Sequence, residues 1–454
     1  MRKIILNIVV ILSLSACTLT PDYVRPNIET PITWDGDDIE DSADIAYTWW
    51  ESFGDETLND LMAKALSNNT DITAGVQVVN QSRAAFKIAG ADLWPSLSGS
   101  AGGSNTYTNP ESASSFESKR FSAGLSASYE LDLFGANRAN KNAAQADLLS
   151  SIYGQDALKL VVMGDVAQTY FTLLNLRERK KIADKNLESR REVLRIIQIR
   201  VNEGADSDLE LSQQKSLVAS AEASRTQIIE LTKNAKNALA VLLGRLPQGF
   251  DVQTVSIDTI KMPDIAVGQP SELLERRPDL KAAEADLLVA NANIGAAKAA
   301  FYPSISLGMD DTFSIAGFSD PSTSILTLAS NITSPIFQGG RLEGGLEQAT
   351  AKQLELAENY RGAVYTAFQD VEDALAAVQS AQSRELFLKT VMDQSRRAYA
   401  LSKESYDAGA IDFQTLLDTQ ISLLSAEDTY AQARLAKITA AVGLYKAMGG
   451  GWEN

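Results

Sequence analysis

The chain has 454 residues, 45 % of them hydrophobic and 22 % charged, which supplies apolar side chain for a large buried core and argues against disorder. Its formal net charge of −17 repels nucleic-acid phosphate. With no histidine and a single cysteine, His-based metal sites, Ser-His-Asp triads, Cys-His pairs and internal disulfides are excluded together.

The first residues read as a processing signal. Arg2 and Lys3 form a basic start, and Ile4 to Leu14 is an apolar run ending in "LSAC". That run falls short of the ~20 residues a spanning helix needs. Two readings follow: an uncleaved signal anchor with Cys17 incidental, or a lipobox. In the second, residues 1–16 are a lipoprotein signal peptide and the mature chain starts at an acylated Cys17. Cys17 being the only cysteine favours the lipobox. Thr18, rather than Asp, follows it, and lipoproteins of that kind go on to the outer membrane.

Residues 17–48 are polar and Pro-containing, an extended arm. "WWESFGDETLNDLMAKAL" (49–66) starts a helix with Asp55 or Thr57 as its cap, and Ala65, Ile72, Val76, Val79, Ala84 and Ile88 carry the helical spacing to Leu93. Trp94-Pro95 ends it, because proline lacks an N–H and biases the preceding residue toward extended backbone. "SLSGSAGG" then reads as a weak strand, "NTYTNPESASS" as a loop, and "FSAGLSASYELDLF" (121–134) as a strand with one apolar and one wet face. A turn with Phe134 and Arg138 in "FGANR" leads into a very long helical stretch. At 1.5 Å per residue, its roughly 65 residues give about 100 Å of helix. Gly204 in "NEGADSDLEL" ends it, and another long helix follows.

Residues 247–270 read as a linker, after which every step returns. "SELLERRPDLKAAEADLLVANANIGAAKAAFYP" reads as the helix, ending at Pro303. Ile305, Leu307 and Met309 alternate in one strand; "GFSDPSTS" is the loop; Leu326, Leu328, Ile332 and Ile336 alternate in the next. Phe337 and Arg341 in "FQGGR" match Phe134 and Arg138. In the second long stretch Tyr360, Val364, Ala367, Val371, Ala374 and Val378 step by four and three, a heptad seam. Gly409 matches Gly204 at an offset of 205. The chain thus divides into a first structural repeat at 49–246, the linker, a second repeat at 271–448 and a tail at 449–454.

This predicts a mainly α fold of tandem helical hairpins with four amphipathic strands. Strands of about ten residues with one apolar face have the length a tilted strand needs to cross a bilayer. A soluble four-stranded sheet packed on helices would show the same alternation. Four strands cannot close a barrel, and an open edge in lipid leaves backbone groups unsatisfied at several kcal/mol each. If they enter lipid, several chains must pool them; two chains or three would serve, and physics alone does not choose. Pro95 and Pro303 are then the junctions where helix outside the membrane becomes strand inside it.

"WWESFGDETLNDL", "YELDLFG", "PSELLERRPDL", "AAFYPSISL", "FQGGRL", "YDAGAIDFQTLLDTQ" and "GLYKAMGGGW", in this order and spacing, resemble the bacterial outer-membrane factors. These are the TolC/OprM-like efflux ducts, and the likeness is to their NodT-type lipoprotein branch. The resemblance implies a homotrimer with a twelve-stranded β-barrel shared by three chains and a trimeric helical barrel spanning the periplasm. The arm, the linker and the C-terminus would form an equatorial girdle. It implies passive export of small toxic compounds, docked on a periplasmic adaptor and an inner-membrane transporter, the branch favouring a proton-driven pump. No cofactor, metal or catalytic residue is implied.

Gly204 and Gly409 serve a left-handed turn whatever the function; the resemblance adds that the hairpin tips contact the adaptor. It makes Asp418, in "GAIDFQTLLD", one of three carboxylates ringing a closed periplasmic gate, against the plainer reading of a solvated heptad flank. Tyr406 matches a latch tyrosine and Glu210 stands where a relative's latch carries an aspartate. Gln414 replaces a constricting leucine, and Ile421 an arginine. Other classes fit less well. "FQGGRLEGG" follows a strand and opens a helix but lacks the Lys-Ser/Thr that completes a phosphate loop. A lipid-tethered coiled-coil adaptor would have one hairpin, not two with four strands, and a type I polypeptide secretion duct has the same shape as an efflux duct.

Overall fold

The computed structural model describes residues 18–35, 47–112, 114–253, 255–265, 268–315 and 322–450; Cys17 and the signal segment lie outside them. The helices are α1 (Glu56–Asn68), α2 (Thr70–Ala91), α3 (Ala136–Asn202), α4 (Asp208–Leu242), α5 (Leu273–Arg276), α6 (Pro278–Ala299), α7 (Arg341–Asp407) and α8 (Phe413–Ala447). The strands are β1 (Ser96–Thr108), β2 (Phe116–Leu131), β3 (Ser304–Ile315) and β4 (Ser322–Thr333). The repeat is metrically close: α3 and α7 have 67 residues each, and α4 and α8 have 35 each. The chain falls into two compact units.

The first unit takes Met1–Ile28, Val78–Tyr153 and Lys281–Gly362, and holds the strands. They form one antiparallel sheet in the order β1-β2-β3-β4. Its registers, such as Leu97 opposite Ala127, Ala127 opposite Met309 and Met309 opposite Leu328, put like residues on like faces. One face carries Leu97, Phe121, Leu125, Tyr129, Leu131, Ile305, Leu307, Met309, Phe313, Leu326, Leu328 and Ile332. The other is largely Ser, Thr, Gly and Asn. Among the described residues neither face is covered, and Leu97, Leu125, Leu326, Leu328 and Ile332 are all exposed. Against the helices of this unit, the Asn291 side-chain amide donates to the Pro21 carbonyl (2.7 Å) and Arg25 pairs with Glu284. These contacts seat the segment just after Thr18 on α6.

The second unit takes Glu29–Gln77, Gly154–Leu280 and Ala363–Asn454. Its core gathers Trp49, Phe53, Leu58 and Met62 with Met163, Tyr170 and Phe171 of α3, Leu239 of α4, and Ala441 and Val442 of α8. Trp49 stacks on Tyr445 at 5.1 Å. Asp55 caps α1 by accepting from the Thr57 N–H (2.8 Å), and its other oxygen takes the buried Tyr170 hydroxyl (2.6 Å). Burial, then the bond to Asp55, pushes the Tyr170 hydroxyl well above the ordinary tyrosine range.

Several boundaries differ from the sequence pattern for identifiable reasons. The helix over 49–93 is broken at Asn69, whose side chain caps α2 at the Asp71 and Ile72 N–H groups and donates to the Leu242 carbonyl (2.8 Å). Pro278 divides the second-repeat helix, because the residue before it, Arg277, is held extended (φ −75°, ψ 119°). The loop expected over "NTYTNPESASS" is shorter: β1 continues to Thr108 opposite Phe116, with the Asn105 amide bonding Glu117 across the ladder (2.8 Å). Ile336 falls beyond β4, and most of the "GFSDPSTS" loop lies outside the described residues.

Gly204 and Gly244 both close helices with positive φ, 74° and 65°. A methyl group on Gly204 meets open space, whereas on Gly244 it would drive into the Asn68 backbone. Gly204→Ala is expected to cost only the backbone penalty, about 1 kcal/mol. Gly244→Ala should cost clearly more, read as the larger drop in melting temperature when the two variants are compared.

Candidate functional site: the hairpin tips and the sheet junctions

Each long helix ends in the same hydrogen-bonded closure. At the first tip the Ala205 N–H donates to the Arg200 carbonyl (2.8 Å) and the Gly204 N–H to that of Val201 (3.0 Å). At the second, Ala410 donates to Ser405 (2.8 Å) and Gly409 to Tyr406 (3.0 Å), with Gly409 at φ 72°. This is the Schellman geometry, which needs a left-handed residue and so favours glycine. Both tip glycines are exposed. The return helices are capped at matching positions. Ser207 and Glu210 form a reciprocal capping box, with the Ser207 N–H donating to the Glu210 carboxylate (2.9 Å). Asp412 accepts from the Thr415 N–H (2.8 Å), and the bonds from Thr415 hold its carboxyl below the ordinary aspartate range.

The two tips meet through Arg200. Its Nε donates to Asp206 across its own turn (2.9 Å), and its guanidinium carbon lies 5.5 Å from the centre of the Tyr406 ring. The bond to Asp206 raises the Arg200 pKa above its ordinary value; burial foremost raises that of Tyr406. Tyr406 also packs on Phe413 at 6.1 Å, over a cluster of Ile197, Leu211, Phe413, Leu416 and Leu417 from three helices. Tyr406 and Glu210 therefore share one neighbourhood, with Glu210 bonded to Ser207. Neither Arg200 nor Asp206 stands out in sequence; only the capping pattern of "SDLE" was there to be read.

Gln414 and Asp418 stand one turn apart on α8, joined by a bond from the Gln414 amide to the carboxylate (2.9 Å). Both are exposed, as is Ile421, while Phe413, Leu416, Leu417 and Gln420 are buried. The strip carrying Asp418 is thus the outward one of this chain. Below the tips runs a buried polar layer. Arg190, 8 % exposed, donates to Asn186 (2.9 Å) and to the Leu217 carbonyl (3.1 Å). Gln214 donates to the Arg190 carbonyl (2.8 Å) and Gln420 to Ser189 (3.0 Å). Burial lowers the Arg190 pKa. The layer lies between the tip cluster and Leu187, Val218 and Ala221, with Leu194 packing on both, and ties α3 to α4 and α8 by hydrogen bonds.

The sheet junctions complete the picture. Pro95 and Pro303 immediately precede β1 and β3. Arg138 clasps Asp132 with its Nε (3.1 Å) and its backbone N–H (2.9 Å); Arg341 clasps the Gln338 side chain (2.9 Å). Phe134 stacks on Tyr302 at 4.6 Å. Their repeat counterparts, Phe337 and Trp94, have no such contact among the described residues and are 87 % and 76 % exposed. Removing Glu210 should loosen only the cap. Glu210→Ala is expected to cost about 0.5–1 kcal/mol locally. Hydrogen exchange should then be faster at the start of α4 and unchanged in the core around Tyr170.

A family model described as outer membrane efflux protein matches the chain twice, over residues 61–245 and 269–450. The chain is 37 % identical to the pyoverdine export outer membrane protein OpmQ of Pseudomonas aeruginosa, over 98 % of this chain and 96 % of the relative. It is 31 % identical to the cation efflux system protein CusC of Escherichia coli K12, over 97 % and 98 %. Among solved structures, the open state of the Neisseria gonorrhoeae MtrE outer membrane channel superposes with a TM-score of 0.86 at 32 % identity, covering 96 % of this chain and 98 % of that one.

Proposed function

The chain belongs to the outer membrane efflux protein family, and we propose that it is the exit duct of a tripartite efflux system, closed at its periplasmic end by its hairpin tips. Its relatives are outer-membrane channels that trimerise, pool four strands per chain into one β-barrel, and pair with a periplasmic adaptor and an inner-membrane pump. The task is conduction, and no reaction is required. The observation that carries this reading is the sheet: among the described residues it has four strands, an uncovered apolar face, and two edges, β1 and β4, without partners. An edge of unpaired backbone in lipid is untenable, so β4 of one copy must meet β1 of the next.

The duplication supplies a template for that seam. Within the chain the two repeats meet at β2 and β3, where Phe134 stacks on Tyr302. By the same relation Phe337 of one copy stacks on Trp94 of its neighbour, covering two aromatic rings that a single chain leaves exposed. On α8 Asp418, Gln414 and Ile421 form the strip that lines the gate, Arg200 and Tyr406 hold the two tips together, and Glu210 caps α4 beside them. Like charges brought close in a ring attract cations. Gly204 and Gly409 present the turns that the adaptor grips. Cys17 carries the lipid anchor, and the seating of Pro21 and Arg25 on α6 supports an anchor beside the strand-bearing unit. The NodT-like motifs favour a proton-driven pump as partner.

Two measurements test this. A short thiol-reactive cross-linker should convert the double variant Trp94→Cys/Phe337→Cys to covalent trimer, and neither single variant; equal cross-linking in a single variant would refute the seam. In planar bilayers the purified protein should conduct with cation preference, and Asp418→Ala should raise conductance and weaken that preference. Conductance and selectivity both unchanged in Asp418→Ala would refute the gate assignment.

A further inference from the structure

The polar face of the sheet carries a charge sequence that export itself does not require. On that face β1 offers Ser96, Ser98, Ser100, Gly102, Ser104 and Thr106, and β4 offers no charge at all. Its charged side chains, among the described residues, are Glu130, Asp310 and Arg120. The register fixes their order. Asp310 lies opposite Ser126, so on β2 it stands four residues from Glu130 and six from Arg120. At 3.4 Å per residue these steps are about 14 and 20 Å along the strand. Glu130 is near the helix-junction end and Arg120 near the hairpin end. Arg120 lies across from Ser104, is exposed, and pairs with no carboxylate among the described residues. Its neighbour Lys119 projects from the opposite, apolar face, where it pairs with Glu117 (3.3 Å) and faces Asn105. Glu111, in the hairpin loop, is exposed.

We infer that Arg120 is a charge-selectivity determinant of the duct: three copies form a cationic ring at the outer mouth, opposing two acidic rings deeper in the barrel, and favour anionic solutes at the exit. The inference rests on the trimeric-barrel reading, since the polar face becomes the lumen wall only when the sheets close. Rings of like charge at a constriction set ion preference, with arginine serving anions. The field of such a ring reaches about 10 Å in 0.1 M salt and about 30 Å in 0.01 M, so its influence grows steeply on dilution.

The test is the potassium-to-chloride permeability ratio, from reversal potentials across a KCl gradient at low and high salt. Arg120→Ser, which matches the serine-rich face, should raise the ratio by about twofold or more at 10 mM and much less at 1 M. Arg120→Lys should keep the parental ratio, and Lys119→Ser should leave it unmoved. An unchanged ratio in a conducting Arg120→Ser trimer would overturn the ring, as would an equal shift from Lys119→Ser. A parental protein that forms no conducting pore would instead overturn the duct reading, and the ring with it.

Discussion

Backbone hydrogen bonding at the edges of a small sheet governs this molecule. Inside a chain, β2 and β3 satisfy each other and their outer neighbours; β1 and β4 each have one side with nothing to pair among the described residues. In water such edges are tolerable, but in hydrocarbon each unpaired group costs several kcal/mol, and a whole strand edge carries many of them. Closure with other copies removes the cost at every edge together. The same closure would cover Trp94 and Phe337, 76 % and 87 % exposed in the single chain, while Leu97, Leu326 and Leu328 stay on the uncovered apolar face that lipid would meet. The chain is half of an interface with itself.

Duplication is how one sequence meets that need. The two repeats give helices of 67 and 35 residues twice over, closed by the same turns at Gly204 and Gly409 and started by side-chain caps at Ser207 and Asp412. A ring built from such units meets nearly the same contact at each step, whether the step lies within a chain or between chains. The departures from equivalence mark where the repeats have separate duties. Arg138 holds the Asp132 carboxylate while Arg341 holds the Gln338 amide. Only the first tip carries the Arg200–Asp206 pair that reaches across to Tyr406.

The period-two alternation of 121–134, the proline stops at Pro95 and Pro303, and the tip glycines were legible because each depends on local stereochemistry. The order of motifs carried the family. What escaped was non-local. Asn69 looks neutral within a helical pattern, and only the Leu242 carbonyl opposite it explains the break there. The length of β1 depends on its partner, since Asn105 to Thr108 become strand by pairing with Phe116 to Lys119. At the tips, the glycines could be read, but the Ser207–Glu210 capping box went unread and the bridging arginine carried no local signal. Its importance lies in an aromatic ring about two hundred residues further along the chain.

A closed barrel depends on the number of chains that pool their strands. Native mass spectrometry of the detergent-extracted protein reads that number directly, together with any mass added at the N-terminus. A complex of three chains, each starting at an acylated Cys17, is the predicted result. A monomer that keeps its signal segment would mean that the four strands build no pore, and would contradict the account at its base.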